Sequence, residues 1–237
     1  MDMTLFYLIA GAVLVFSLVV RNRMQATYRR WSTVRSVTGM AGGRVARTIL
    51  DANGLQSVPV EPVQGKLTDH YDPKHDRLRL SKGNFVGNSV AATAVSAHEC
   101  GHALQDASEY GPLALRSAMV PMANAGARFG LPLAIFGSFL GSSMMVLFGV
   151  LGYLGAILVH FMTLPVEFNA SKRALHQLDS LGLVSEDGHE GARQVLRAAS
   201  MTYVAGVASS AGYIVYLLFI GGRALFGRRE PSLPEPM

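Results

Sequence analysis

Apolar positions along this chain fall into long blocks separated by stretches of mixed character. Residues 3–20, MTLFYLIAGAVLVFSLVV, are apolar or small throughout, just long enough for a helix to cross a bilayer core of about 30 Å. Residues 129–166 run 38 positions without a charged side chain, slightly short of two crossings of about 20 residues each. A helical hairpin over this block is therefore expected to begin near Ala123, with Arg128 snorkelling or facing protein, and to turn near Gly141, Ser142 and Ser143. Residues 203–220, YVAGVASSAGYIVYLLFI, form a fourth block, whose Ser and Gly content also fits a re-entrant or interfacial helix.

Between the blocks the periodicity changes. Over 38–54, TGMAGGRVARTILDANG, apolar Val45, Ile49 and Leu50 recur at helical spacing, with Thr38 as the expected cap and Gly54 as terminator. The β-branched, Pro-bearing SVPVEPV (57–63) reads as an edge strand at best, DHYDPKHD (69–76) as turn chemistry, and the alternating RLRLS (77–81) as a strand. The Ala-rich run 89–108 reads as a helix capped by Ser89. Residues 167–200 return to polar, helical character, and the tail from 223 is Pro-rich and expected to be disordered.

Composition turns these blocks into a class. Mean hydropathy is +0.28 and charged residues make up only 16%, which points to an integral membrane protein with a soluble portion. The net charge of +5 is not a nucleic-acid signature, because of where it lies. Arg21, Arg23, Arg29, Arg30, Arg35, Arg44 and Arg47 follow the first apolar block with no acid among residues 21–50. Arginines there mark the cytoplasmic flank of a spanning helix and are attracted to an anionic bilayer surface. They also follow the apolar run rather than precede it, so an uncleaved anchor fits better than a signal peptide. The single Cys100 excludes an intrachain disulfide framework.

The expected fold is a mainly α membrane protein, with about four transmembrane helices and a small α+β cytoplasmic portion. The expected organisation is an anchor (1–22), the first cytoplasmic part (23–118), a transmembrane hairpin (119–166), a second cytoplasmic part (167–202), a spanning or re-entrant helix (203–222) and the tail (223–237). The setting would be the cell (inner) membrane.

Chemistry enters at VSAHECGHALQDAS (95–108), which holds His98-Glu99-Cys100-Gly101-His102. Positions four apart share one helix face, so His98 and His102 can offer two imidazoles to one zinc ion, while Glu99 stands beside it as a base. Cys100 lies about 200° around the helix from His98, so it reads as a core thiol and not as a ligand. A catalytic zinc needs a third protein ligand, and no downstream histidine stands at a metzincin spacing. The third should be a distant carboxylate. Glu167, in TLPVEFNASKRAL (163–175), is the first charge after the long apolar run and opens a polar segment after Pro165. An interfacial carboxylate at a helix end would look the same.

AHECGHALQ, TLPVEFNASKRAL and LTDHYDPKHDRLRLS together resemble the YugP-type membrane zinc metallopeptidases, over nearly the whole chain. That family is grouped with gluzincins, so the resemblance implies a zincin-like cytoplasmic portion, His98, His102 and Glu167 as ligands of one catalytic Zn2+, and Glu99 as the base. The wider HtpX-like and CAAX-type relatives carry E-x-x-A-D on the second ligand helix. Glu167 and Ala170 match that pattern, but Ser171 stands at the aspartate position, where it can accept a hydrogen bond from a ligand histidine without a negative charge.

Topology adds an independent condition. His98 and Glu167 can bind one ion only if an even number of crossings separates them, which a hairpin satisfies and a single long helix does not. The expected reaction is hydrolysis of a polypeptide substrate in or near the lipid bilayer. Leu78, Arg79 and Leu80, just upstream of the active helix, are expected to form an edge strand that holds substrate by β-addition. Ser171 is the candidate support for a ligand histidine, and Arg173, His176, His189 and Tyr203 are candidates for stabilising the oxyanion. A zinc-bearing but inactive scaffold has no need of Glu99, and a transporter usually carries ionisable groups within its crossings, which are scarce here.

Overall fold

A computed structural model describes residues 3–226. Of the tail expected at 223–237, residues 223–226 continue a helix and 227–237 lie outside the described residues. The chain is mostly helical with one small sheet. In order it forms α1 (Met3–Ser32), α2 (Gly42–Ala52), β1 (Val60–Val63), β2 (His70–Asp72), β3 (Arg77–Ser81), α3 (Lys82–Val86), α4 (Val90–Ala107) and α5 (Gly111–Ala125). A π-helical segment (Gly126–Gly130), α6 (Leu131–Phe139), α7 (Ser143–Ser180) and α8 (Glu186–Phe226) complete it. Contacts divide it into two units, one of Ser17–Leu115 with Met162–Ala205 and one built around Arg116–Phe161 with the outer ends of α1 and α8.

The first unit is a helical core backed by the sheet. Val45, Ala46, Ile49 and Leu50 make one apolar face of α2. That face enters a core with Ala91, Ala94, Ala97 and Cys100 of α4, Leu78 and Leu80 of β3, Ala174 and Leu178 of α7, and Ala192, Val195 and Leu196 of α8. Alanine dominates α4 because the helix is wrapped by neighbours on most sides, and a methyl group is what the spacing leaves room for. Ser89 caps α4 as expected, its Oγ accepting from Ala92 N–H at 3.2 Å. Gly54 also ends the α2 turn as expected, at φ +78°. Thr38 does not cap α2: the helix starts at Gly42 after Ala41, and the Thr38 hydroxyl instead accepts from Met40 N–H. The base of α1 is tied in by Tyr28 Oη donating to Asn84 Oδ1 at 2.7 Å and Trp31 Nε1 donating to Gln194 Oε1 at 3.1 Å.

The sheet order is β1-β3-β2, with β1 parallel and β2 antiparallel to β3. β1 is an edge strand, as its proline required. β3 is not: both of its sides are paired, and Leu78 and Leu80 are fully buried. The expected substrate edge at Leu78, Arg79 and Leu80 is thus corrected, because His70–Asp72, read as turn chemistry, pairs as a third strand and covers it. The free edge passes to β2. Arg79 is itself engaged, 3.6 Å from Glu61 and 3.9 Å from Asp72.

In the second unit α6 and α7 form the expected hairpin, turning through Gly141 at φ +65°, a conformation open to glycine. Gly126, Gly130 and Gly137 lie so close to Gly152, Gly149 and Met145 of α7 that a β-carbon on any of them would collide. Small residues of this kind let apolar helices pack backbone to backbone. The first arm starts earlier than Ala123 and is broken by the π-helical segment, downstream of Pro121 within α5. Among the described residues, two helices are long and apolar enough to cross a membrane: Tyr7–Ser32, of mean hydropathy 1.4, and Ser143–Ser180, of mean hydropathy 2.1. The broken first arm of the hairpin is not one such helix, and 203–220 continues α8 from Glu186 without a break.

Candidate metal centre

The site forms where α4 crosses α7, inside the first unit. Gly101 packs directly on the Ala170 carbonyl, with no room for a β-carbon. On α4, His98 stands three residues before this contact and His102 one after it; on α7, Glu167 and Ser171 stand at the same offsets. Residues three and four apart share a helix face, so the crossing places both pairs in the same gap. His98 Nε2 lies 3.2 Å and His102 Nε2 3.7 Å from Glu167 Oε2. The two imidazoles meet edge to face with centroids 4.8 Å apart. Glu167 is 1% exposed. Glu167 sits within α7 rather than at a helix start, since Pro165 lies inside a continuous helix.

These residues fit zinc by type and spacing. The donor atoms of His98, His102 and Glu167 all lie within 4.8 Å of one another. Bonds of about 2.0–2.2 Å in a tetrahedral site separate neighbouring donors by about 3.4 Å, between the two histidine–glutamate distances of 3.2 and 3.7 Å. Each imidazole is also held from behind. Ser171 Oγ meets His98 Nδ1 at 3.2 Å, and Gln105 Oε1 meets His102 Nδ1 at 2.9 Å, so both Nε2 atoms face the carboxylate. Burial draws the His102 pKa down, but the nearby Glu167 and Glu99 carboxylates outweigh it and the net shift is upward.

Glu99 is buried beside the triad and accepts a hydrogen bond at Oε2 from the backbone N–H of Tyr71, at 3.0 Å. Burial raises its pKa, against the lowering effect of the two histidines. Tyr71 lies at the middle of β2. The Leu78 amide is spent on Pro59 O in the direction of β1, so in the β2–β3 ladder the flanking residues pair. Tyr71 therefore turns its own N–H and C=O to the free edge. Its ring spans to α4: Oη lies 2.8 Å from Asp106 there and 2.8 Å from Asp76 of the β2–β3 turn.

Cys100 is buried in the core at 3.5 Å from Ala46 O, away from the donors. The Arg173 guanidinium bonds Asn169 Oδ1 and Leu104 O, and so points at α4 and its own helix rather than into the gap. His176 is exposed, nine residues beyond Glu167 on the same helix. His189 is paired with Asp179 at 2.6 Å, and Tyr203 lies 38% exposed on α8. The structure does not bring these three into the donor group. The sequence reading missed Gln105, Asn169 and Tyr71. The H-x-x-Q spacing of His102 and Gln105 carried a signal; Tyr71 was hidden in a segment read as turn.

A mainly helical protein carrying HExxH on one helix and a buried glutamate on a second has the donor set of a metallopeptidase. Residues 6–221 match the family described as putative neutral zinc metallopeptidase, and the chain belongs to that family. It is 38% identical over 221 residues to the putative membrane protease YugP of Bacillus subtilis (strain 168), covering 92% of this chain and 98% of that protein. No solved structure matches the chain.

Proposed function

We propose that this protein is a zinc-dependent endopeptidase of the gluzincin type, which cuts membrane or membrane-proximal polypeptides on the cytoplasmic side of the cell membrane. The observation that carries the reading is the convergence of His98, His102 and Glu167 beside a buried Glu99. His98 Nε2, His102 Nε2 and a Glu167 carboxylate oxygen would hold the metal. Zinc held there would acidify water and polarise the scissile carbonyl. Glu99 takes the proton from the attacking water and passes it to the amine nitrogen as the peptide bond breaks. Tyr71 N–H fixes Glu99 Oε2, which leaves Oε1 as the atom that carries this proton. An extended substrate would lie along the free edge of β2, where the Tyr71 carbonyl faces outward to accept a hydrogen bond while its N–H is held by Glu99.

The arginine-rich 21–47 segment supports a cytoplasmic site, and four crossings remain the proposed topology: α1, the hairpin, and a last one over 203–222. Arg223, Arg228 and Arg229 would then lie outside, which also keeps a re-entrant course for 203–222 compatible with the charge rule.

The test uses full-length protein in detergent. Glu99→Gln should keep stoichiometric zinc and lose about 10²–10⁴-fold in proteolysis of casein-type or self substrates. His98→Ala, His102→Ala and Glu167→Ala should lose the metal. Full zinc in Glu167→Ala would remove the third ligand, and undiminished proteolysis by Glu99→Gln would remove the base. Cysteines introduced at His75 or Asp187 should resist an impermeant maleimide applied from outside; efficient labelling would invert the topology.

A further inference from the structure

Gln105 is fully buried between the two ligand helices, and every polar atom of its amide is engaged. Oε1 faces His102 Nδ1 at 2.9 Å, while Nε2 lies 2.8 Å from Val166 O and 3.0 Å from Asn169 Oδ1. An amide can usually be turned over without visible cost, but here two partners forbid it. Val166 O is a backbone carbonyl and only accepts. Asn169 Oδ1 takes the Nε–H of Arg173 at 2.9 Å, and a guanidinium only donates. The Asn169 atom must therefore be its oxygen, the Gln105 atom facing it must be its nitrogen, and the remaining Gln105 oxygen must receive a proton from His102. Arg173 is locked in turn by Nη1 donating to Leu104 O at 3.3 Å, and it stacks 6.0 Å from the Tyr110 ring.

We propose that Arg173, Asn169 and Gln105 form a relay of fixed hydrogen-bond polarity that sets His102 as the Nδ1–H tautomer, leaving its Nε2 lone pair directed at the metal. Gln105 and Asn169 are positioning residues; they touch neither metal nor substrate. The inference rests on His102 being a ligand, as proposed above. It also gives Arg173 a role other than oxyanion stabilisation, since its charge anchors the polarity of the relay. The two histidines are thus supported differently. The Ser171 hydroxyl can rotate to donate or accept, so it aligns His98 without dictating the tautomer, whereas Gln105 dictates it for His102.

Two measurements test this without reference to turnover. In metal-free, full-length native protein carrying 15N-histidine, held alkaline enough that His102 is neutral despite its raised pKa, the resonances absent from His102→Ala should be those of a single Nδ1–H imidazole. A mixture of tautomers, or the Nε2–H form, would overturn the relay. Zinc affinity is then read by chelator competition. Gln105→Met, similar in bulk but with no acceptor, should bind about 10–100-fold more weakly. Asn169→Asp keeps both acceptor contacts and should bind much as the native protein does, while Asn169→Leu should weaken binding in the same sense as Gln105→Met. Native affinity in Gln105→Met, with only a lower melting temperature for the metal-free protein, would reduce Gln105 to packing. Equal losses in the two Asn169 variants would remove Asn169 and Arg173 from the relay. His102→Ala separates the two ideas: retained zinc there defeats the ligand set, while lost zinc with native affinity in Gln105→Met defeats the relay alone.

Discussion

Two helix crossings in this molecule use the same device for different ends. In the hairpin, Gly126 and Gly130 press against Gly152 and Gly149 of α7. In the first unit, Gly101 of α4 presses against Ala170, further along the same helix. Both contacts rely on missing side chains to bring backbones together. The difference lies in what stands one turn away. At offsets of minus three and plus one around the hairpin contacts, the neighbours are Ala123, Ala127, Leu131, Val146, Gly149, Val150 and Tyr153. Around Gly101 and Ala170 they are His98, His102, Glu167 and Ser171. Small residues set the separation of two helices, and the residues at offsets of minus three and plus one decide whether that separation is structural or chemical.

Gly101→Val should give the largest effect. Its side chain would enter the Ala170 carbonyl, so the helices must part and the donors on α7 must leave those on α4. Overpacking of this kind typically costs about 1–3 kcal/mol, and zinc binding should be abolished within the range accessible to a competing chelator. Gly101→Ala should show the same pattern more mildly. Zinc bound by Gly101→Val with native affinity would show that the crossing does not set the site.

Gly126→Val makes the matching change in the hairpin. The cost in stability should be similar, about 1–3 kcal/mol by thermal unfolding in detergent, because its β-carbon also meets a backbone carbonyl, that of Gly152. Zinc affinity should stay close to native, since this contact belongs to the other unit and shares no residue with the donor group. A loss of zinc comparable to Gly101→Val would break the comparison and make the hairpin part of the site. Ser171→Ala is smaller again: it removes the Oγ contact to His98 Nδ1 and should weaken zinc at the low end of the 10–100-fold range. Ser171→Asp should restore or exceed native affinity.

How much of this was legible in the sequence follows from the range of each signal. α4 and its Ser89 cap, the hairpin turn and the strand at 77–81 are local patterns, and all were readable. His98 and His102 are four apart on one helix, so their pairing was readable too. Glu167 was reachable only through the need for a third ligand and through family resemblance. No local pattern predicts that Ala170 will meet Gly101. The readings that missed depend on pairing across the fold. His70–Asp72 is too short and too rich in turn-forming residues to announce itself as a strand, so β3 was taken for an edge. Glu167 was read as opening a polar segment after Pro165, whereas α7 runs through both from Ser143 to Ser180. Polar residues such as Gln105 and Asn169 are ordinary in sequence and become specific only when two helices enclose them.

Cys100 offers the finest test of the comparison, because it lies between the proposed ligands His98 and His102 in sequence and away from them in space. One residue before the Gly101 contact, it points into the core, where its thiol touches Ala46 O. If α4 turns its metal face to α7 and its thiol face to α2, Cys100→Ala should retain stoichiometric zinc and cost at most about 1.5 kcal/mol, as mild core substitutions do. The thiol should also resist iodoacetamide in the folded protein and react fully in denaturant. Burial first, and the Glu99 charge second, push its pKa well above the ordinary thiol value. The sign of the pH effect follows. Above about pH 8.5 the unfolded chain releases the thiol proton while the folded chain retains it, so this group's contribution to stability is intact below that pH and declines above it. The slope is at most about 1.4 kcal/mol per pH unit, and unfolding curves of native protein and Cys100→Ala should diverge by it only in the alkaline range. Rapid alkylation of the folded protein, or loss of zinc from Cys100→Ala, would place the thiol on the metal face and overturn the assignment of the two faces of α4.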